Sequence, residues 1–339
     1  MENKKELGNW LNELNLDHPL VIAGPCSAET EEQVLRIAHE LKDTDVSYYR
    51  AGIWKPRTRP GNFEGVGALG LKWLQKVKAE TGLKTATEVA NRAHVELALE
   101  HDIDLLWIGA RSTVSPFIVQ EIADALRGVD IPVFVKNPIH PEMGLWLGAL
   151  ERLNKAGVNK LAAIHRGFYN YKESAFRNDP KWEMPIKLRK EVRDLPIICD
   201  PSHIAGKASL IEDVSQTAMD INLDGLMIET HNNPSKALSD AQQQISPKEL
   251  KKIPNDHEIY SIFFEFENGP PTTSQELNGW GDDIVHDYLK AIEIDGRIGV
   301  LYSNKDYGNA RGLEVKLDMG IGALKGMLNY TLQYTRGNA

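Results

Sequence analysis

At 339 residues the chain has room for one large domain of about 250 residues beside a smaller unit. Its 42% hydrophobic and 26% charged content is ordinary for a soluble globular protein, and no apolar run approaches the roughly 20 residues of a membrane helix. A net charge of −9 argues against broad nucleic-acid binding, although a local cationic pocket for a small anion stays open. The opening MENKKELGNW lacks the apolar core of an export signal, and two cysteines are too few for a disulfide framework. A reducing cytoplasm is therefore the expected compartment, with Cys26 and Cys199 as thiols.

Residues 1–18 form a polar N-terminal extension with a short amphipathic stretch. A strict alternation follows. Short apolar runs at 20–24, 47–50, 84–89, 105–109, 132–136, 161–165, 196–200 and 226–229 predict buried strands. Helical patterns separate them. Thr30 with Gln33 predicts a capping box ahead of Val34, Ile37, Ala38 and Leu41. Ser115 and Pro116 have the form of an N-cap followed by a first-turn proline. Further amphipathic runs cover 68–80, 91–100, 142–156, 181–192, 205–221 and 235–252. Strands and helices in this order predict a closed (β/α)8 barrel over 19–253. The rival, a doubly wound open sheet, usually carries a glycine-rich phosphate loop after its first strand. That position here reads AGPCS.

Barrel enzymes build their sites at the carboxyl ends of the strands. Those ends carry Cys26, Arg50 with Lys55, Glu88, Arg111, Lys136, Arg166, Asp200 with His203, and Glu229. The stretch from Arg50 to Thr58, with Lys55 and Arg57, is strongly basic for an acidic chain, which calls for an anionic partner. Arg50, Lys55, Arg111, Lys136 and Arg166 suit a small substrate carrying a phosphate and a carboxylate. Cys26, His203 and Glu229, with Asp240 as a fourth, offer the mixed sulfur, nitrogen and oxygen donors that suit a divalent transition metal. Each of these residues has an ordinary structural reading by itself; their convergence on one predicted face favours a site. His231 is read as supporting or structural.

The runs IAGPCS at 22–27, KPRT at 55–58, IGAR at 108–111, CDPSH at 199–203 and ALSD at 237–240 resemble the type I-beta group of 3-deoxy-D-arabino-heptulosonate 7-phosphate (DAHP) synthases. KPRTRPGNFEG at 55–65, VKNP at 135–138 and HRGF at 165–168 are similar to the subgroup usually fused to a C-terminal chorismate mutase. The resemblance implies a TIM barrel that condenses phosphoenolpyruvate with erythrose 4-phosphate, the first step of the shikimate pathway. It implies a divalent metal of the Mn, Fe, Co or Zn class held by Cys26, His203, Glu229 and Asp240. Arg111, beside Ala110, and Arg166 would clamp the phosphoenolpyruvate phosphate, with Arg50 and Lys136 toward its carboxylate. Lys55 would deliver a proton, Arg57 and Thr58 would take the sugar phosphate, and Glu88 would orient the attacking water. A homo-oligomer is expected, with no nucleic-acid or membrane partner. The neighbouring readings are the sister synthase that uses arabinose 5-phosphate, whose loop after strand 2 typically reads KANRSS, and a silent barrel that only binds phosphometabolites.

The region 254–339 departs from that subgroup. A mutase unit would be long helices, whereas here Gly269, Pro270 and Pro271 are followed by period-two patterns at 313–318 and 324–334, a strand signature. The run NKDYGNARGLEVKLD at 304–318 resembles part of an outer-membrane receptor of the TonB-dependent kind. Two such strands cannot close a barrel. The expectation is a β-rich appendage, either a fused or truncated segment or a small accessory domain, without chorismate mutase activity.

Overall fold

A computed structural model describes residues 9–16, 18–55, 61–172 and 174–253 in full, together with the backbone of four strands between 289 and 333. The chain divides into two compact units, Met1–His257 and Glu258–Ala339. Among the described residues no helix is long and apolar enough to cross a membrane.

In the first unit eight parallel strands close into a barrel in chain order: β1 (Leu20–Gly24), β2 (Tyr48–Arg50), β3 (Lys84–Val89), β4 (Leu105–Ile108), β5 (Val133–Lys136), β6 (Leu161–His165), β7 (Ile197–Cys199) and β8 (Gly225–Glu229). Alternate side chains fill its interior, among them Leu20, Ile22, Tyr48, Trp107, Phe134, Ile164, Ile198 and Met227. The intervening residues, such as Val21, Tyr49, Leu106, Val133 and Ile228, face outward into a second core beneath the helices. Trp10 closes the N-terminal end. Its indole Nε1–H donates to the Leu161 carbonyl at 2.9 Å, and its ring meets Phe134 edge-on at 5.9 Å. The N-terminal extension thus plugs the barrel floor.

Closure joins β8 to β1, with Gly24 opposite Glu229 and Leu20 opposite Gly225. Both glycines are required by close backbone approach. A Cβ at Gly225 would overlap the Leu20 carbonyl, and one at Gly24, whose φ is 146°, would overlap that of Arg50.

The helices are α1 (Glu31–Leu41), α2 (Leu69–Thr81), α3 (Arg92–Glu100), α4 (Ala110–Thr113), α5 (Pro116–Ala125), α6 (Met143–Lys155), α7 (Glu183–Glu191), α8 (Pro201–Ala205), α9 (Ile211–Asp220) and α10 (Pro247–Leu250). Ser115 caps α5 as its sequence predicts, accepting from the Ile118 amide at 3.4 Å. At α1 only half of the capping box forms. Thr30 accepts from the Gln33 amide at 3.1 Å, but the Gln33 side chain accepts from Glu29 N–H instead of returning to the cap. The run 205–221 begins as α8, breaks at Gly206 and resumes as α9. The run 235–252 is not one helix. Asp240 takes a left-handed backbone (φ 49°), and only short 3-10 turns and α10 form around it. A bridge between Thr230 and Ile245 ties this segment back over the mouth of the barrel.

In the second unit β9 (Leu289–Ile294) pairs antiparallel with β10 (Arg297–Tyr302), and β11 (Gly312–Ile321) with β12 (Leu324–Gln333). The period-two stretches read at 313–318 and 324–334 fall on the second of these hairpins.

Removing the barrel plug tests its contribution. Trp10→Ala is expected to lower the stability of the barrel by about 3 kcal/mol, measured by chemical denaturation. A change below about 1 kcal/mol would show that the extension does not support the floor.

Candidate active site

The period of two that fills the barrel also builds its mouth. One step beyond the inward apolar residues the same positions carry Arg50 after Tyr48, Glu88 after Ala86, Lys136 after Phe134, Arg166 after Ile164, Asp200 after Ile198 and Glu229 after Met227. These charges therefore stand on the C-terminal rim of the apolar interior. His165, out of phase with them, turns outward among Trp146, Phe168 and Trp182, and burial lowers its pKa to about 3, so it is neutral at pH 7.

Cys26 Sγ lies at the centre of one cluster. It donates to Asp240 Oδ2 at 3.3 Å and receives the Lys55 ammonium at 3.0 Å. Among the described residues, donor atoms of Cys26, Glu229 and Asp240 all lie within 4.8 Å of one another. His203 stands at the edge of this trio, with its Nε2 3.9 Å from Glu229 Oε1. Its other nitrogen, Nδ1, lies 2.8 Å from Asp200 Oδ2. That carboxylate holds the proton on Nδ1 and leaves the Nε2 lone pair toward the trio. Burial lowers the His203 pKa against the pull of Asp200, which favours the neutral ring.

These groups fit a divalent metal. A thiol and two carboxylates converge, Glu229 Oε1 is buried without a hydrogen-bond donor among the described residues, and an imidazole nitrogen faces the same place. Burial, reinforced by Glu229 and Asp240, pushes the Cys26 thiol well above its ordinary value despite Lys55. A bound cation would be needed to hold it as a thiolate.

The second cluster is cationic. Arg50, 1% exposed, lies with its guanidinium carbon 4.9 Å above the Trp107 ring. Its Nη2 donates to the Cys26 carbonyl at 3.3 Å and lies 3.3 Å from Glu229 Oε1. Its Nε and Nη1 are buried and have no partner among the described residues. Arg166 is held by Asn178 Oδ1 at 2.9 Å, and Asn178 in turn donates to the His203 carbonyl. Burial, helped by Arg177 and Arg111, lowers the Arg166 pKa to about 10 against Asp200, so it remains charged at pH 7. Arg111 is exposed beside Ala110 at the start of α4. For Lys55, burial works to lower the pKa, but Cys26, Glu229 and Glu88 outweigh it and the net shift is upward.

Lys136 stands on the same rim, at the end of β5. Its ammonium is paired with Asp200 Oδ2 at 2.7 Å, both groups buried, so it is neutralised within the protein. Glu88 accepts from the Trp107 indole at 2.9 Å. Arg57 and Thr58 lie outside the described residues. His231 accepts from the Asn233 amide at 2.8 Å, in keeping with a structural part. Sequence reading gave no role to Asp200, Arg177, Asn178 or Gln243. Asp200 was legible as the residue before Pro201 and three before His203, the pattern of an N-cap. The other three reach the site from irregular segments that leave no periodic signal.

A (β/α)8 barrel whose mouth joins a thiol–carboxylate cluster to buried guanidinium groups is the class that fold and site define. The family model described as the DAHP synthetase I family matches residues 15–260. The chain belongs to that family. It is 31% identical over 233 residues to phospho-2-dehydro-3-deoxyheptonate aldolase of Thermotoga maritima, covering 69% of this chain and 67% of that protein. It is 27% identical over 269 residues to a 2-dehydro-3-deoxyphosphooctonate aldolase of Campylobacter jejuni, covering 70% of this chain and 94% of that one. The crystal structure of the Thermotoga maritima DAHP synthase superposes with a TM-score of 0.62 at 30% identity, covering 70% of this chain and 67% of that one. A truncated form of the Thermotoga maritima enzyme gives 0.61 at 26% identity, covering 70% and 84%. A second model, a domain of unknown function (DUF4159), matches residues 224–318 and overlaps the end of the barrel.

Asp200 carries a pH signature. Burial acts to raise its pKa, but His203 and Lys136 overcome this and hold it well below the usual carboxylate value. Its contribution to stability is complete above the unfolded-state value of about 4 and is lost as pH falls toward the depressed native value. Asp200→Asn is expected to cost about 3 kcal/mol at pH 7 and to flatten the fall of stability below about pH 4. An unchanged acid slope in denaturant titrations would contradict the assignment.

Proposed function

We propose that the barrel is a DAHP synthase that joins phosphoenolpyruvate to erythrose 4-phosphate, with release of phosphate, as the first step of the shikimate pathway. The observation that carries this reading is Arg50: a buried guanidinium with two nitrogens, Nε and Nη1, unpartnered among the described residues, set beside the Cys26, Glu229 and Asp240 cluster. An anion that accepts those N–H groups would relieve an otherwise costly burial. Arg50 is thus assigned the carboxylate of phosphoenolpyruvate. Arg166 and Arg111 are assigned its phosphate, and Arg57 and Thr58 that of the sugar.

Cys26, His203, Glu229 and Asp240 would hold a divalent metal, which supplies a Lewis acid to polarise the aldehyde when bound. The remaining chemistry falls to the chain's own groups. Fixed cations hold the two reactants against each other, which replaces the entropy of a bimolecular encounter. The new bond joins C3 of phosphoenolpyruvate to the aldehyde carbon, and Lys55, cationic and beside Cys26, donates a proton to the oxygen formed there. Glu88 orients a water toward C2, and the C–O bond to phosphate then breaks, with Arg111 and Arg166 stabilising the charge that develops. Lys136 and Asp200 hold the His203 ring in its tautomer.

The named octonate aldolases among the relatives make arabinose 5-phosphate the natural competing aldose. The KPRT run at 55–58 favours erythrose 4-phosphate over it. The tail is assigned no chorismate mutase activity.

Phosphate release from phosphoenolpyruvate plus erythrose 4-phosphate should be abolished by a chelator and restored by a divalent metal. Cys26→Ala should lose the metal-dependent turnover, and Lys55→Gln should lower kcat by roughly 10²–10⁴-fold. Faster turnover with arabinose 5-phosphate would move the assignment to the sister reaction. No phosphate release with either aldose would leave a binding barrel.

A further inference from the structure

Each carboxylate of the cluster has one oxygen tied away from the thiol and one turned toward it. Glu229 Oε2 accepts from Gln243 Nε2 at 2.7 Å, while Oε1 has no hydrogen-bond donor among the described residues. Asp240 Oδ1 accepts from Arg177 Nη1 at 2.9 Å, while Oδ2 lies against Cys26 Sγ. The two ties share a link, because the same Arg177 nitrogen also donates to Gln243 Oε1. A guanidinium can only donate and an ionised carboxylate can only accept. The amide between them therefore has one orientation, oxygen to Arg177 and nitrogen to Glu229. A glutamate at this position could not donate, and an apolar side chain would leave Glu229 Oε2 without this donor. The next residue braces the thiol: Gln244 Oε1 accepts from the Cys26 amide at 3.1 Å, and its Nε2 donates to the Ser239 carbonyl at 2.8 Å. Gln243 and Gln244 are both 1% exposed.

We propose that Gln243, Gln244 and Arg177 form one orienting frame for a divalent cation, in which Gln243 and Arg177 are positioning residues that select the oxygen each carboxylate presents. The proposal rests on the reading of Cys26, Glu229 and Asp240 as ligands. It adds that their geometry is set before the ion arrives by groups that never touch it. Loss of such an outer hydrogen bond frees a carboxylate to rotate, and the affinity for the ion falls.

The test is a titration of the metal-free full-length chain with Co²⁺ against a competing chelator, without substrates, following the thiolate-to-cobalt charge-transfer absorption. Gln243→Leu removes the link. Arg177→Gln removes the tie to Asp240 at a side chain 46% exposed, where folding tolerates change. Circular dichroism of the metal-free proteins checks that both variants are folded. The expected result is roughly 10- to 100-fold weaker binding in each variant, with the charge-transfer band retained at saturation because Cys26 is untouched. Wild-type affinity in folded variants would overturn the frame while leaving the ligands assigned. A wild-type chain that binds Co²⁺ without the thiolate band would overturn the ligand reading and the frame together.

Discussion

The closure of β1 against β8 is the constraint on which the site depends. It brings Gly24 opposite Glu229 and so sets Cys26 beside a carboxylate some two hundred positions along the chain. Gly24 and Gly225 permit the close approach, since a side chain at either would strike the neighbouring backbone. The segment after β8 continues the same pairing. The Ile245 amide donates to the Glu229 carbonyl and the His231 amide to the Ile245 carbonyl, which carries Asp240, Gln243 and Gln244 back over the mouth. A displaced register at this one seam would scatter the thiol, both carboxylates and their braces.

Above that seam several of the charges are paired within the protein. Lys136 is neutralised by Asp200, Arg177 by Asp240, and Lys55 is surrounded by Cys26, Glu229 and Glu88. Arg50 shares Glu229 but keeps two buried N–H groups without partners among the described residues. Buried unpaired donors are uncommon in native proteins, and their presence at the C-terminal rim of a barrel points to a ligand that completes them. The floor shows the opposite character. Trp10 and Phe134 meet there as apolar rings.

Much of this was legible because a buried parallel strand leaves a plain mark. The eight apolar runs gave the strands to within a residue or so, and the last residues of each run or those just after it named the rim charges. That worked because the two-residue period continues past the last strand hydrogen bond. The helix pattern was less faithful at 235–252, where Leu238, Ala241, Ile245 and Leu250 mimic an amphipathic stripe. The left-handed backbone at Asp240 and the bridge to Thr230 win there over local propensity. Gln33 was read as completing its cap, but the amide of Glu29 offers its side chain a better placed donor. The pairing of Lys136 with Asp200 depends on β5 and β7 flanking β6, which no local pattern records. Arg177 and Gln243 were invisible for the same reason.

The central claim is spatial: a thiol, two carboxylates and an imidazole share one cation beside a guanidinium with two nitrogens unpartnered among the described residues. Anomalous diffraction from crystals grown with Zn²⁺ and phosphoenolpyruvate tests it directly. The account predicts one zinc peak about 2.3 Å from Cys26 Sγ and within bonding reach of Glu229, Asp240 and His203, with the carboxylate of phosphoenolpyruvate on Arg50. A zinc peak elsewhere on the barrel, or a ligand that leaves Arg50 untouched, would contradict it.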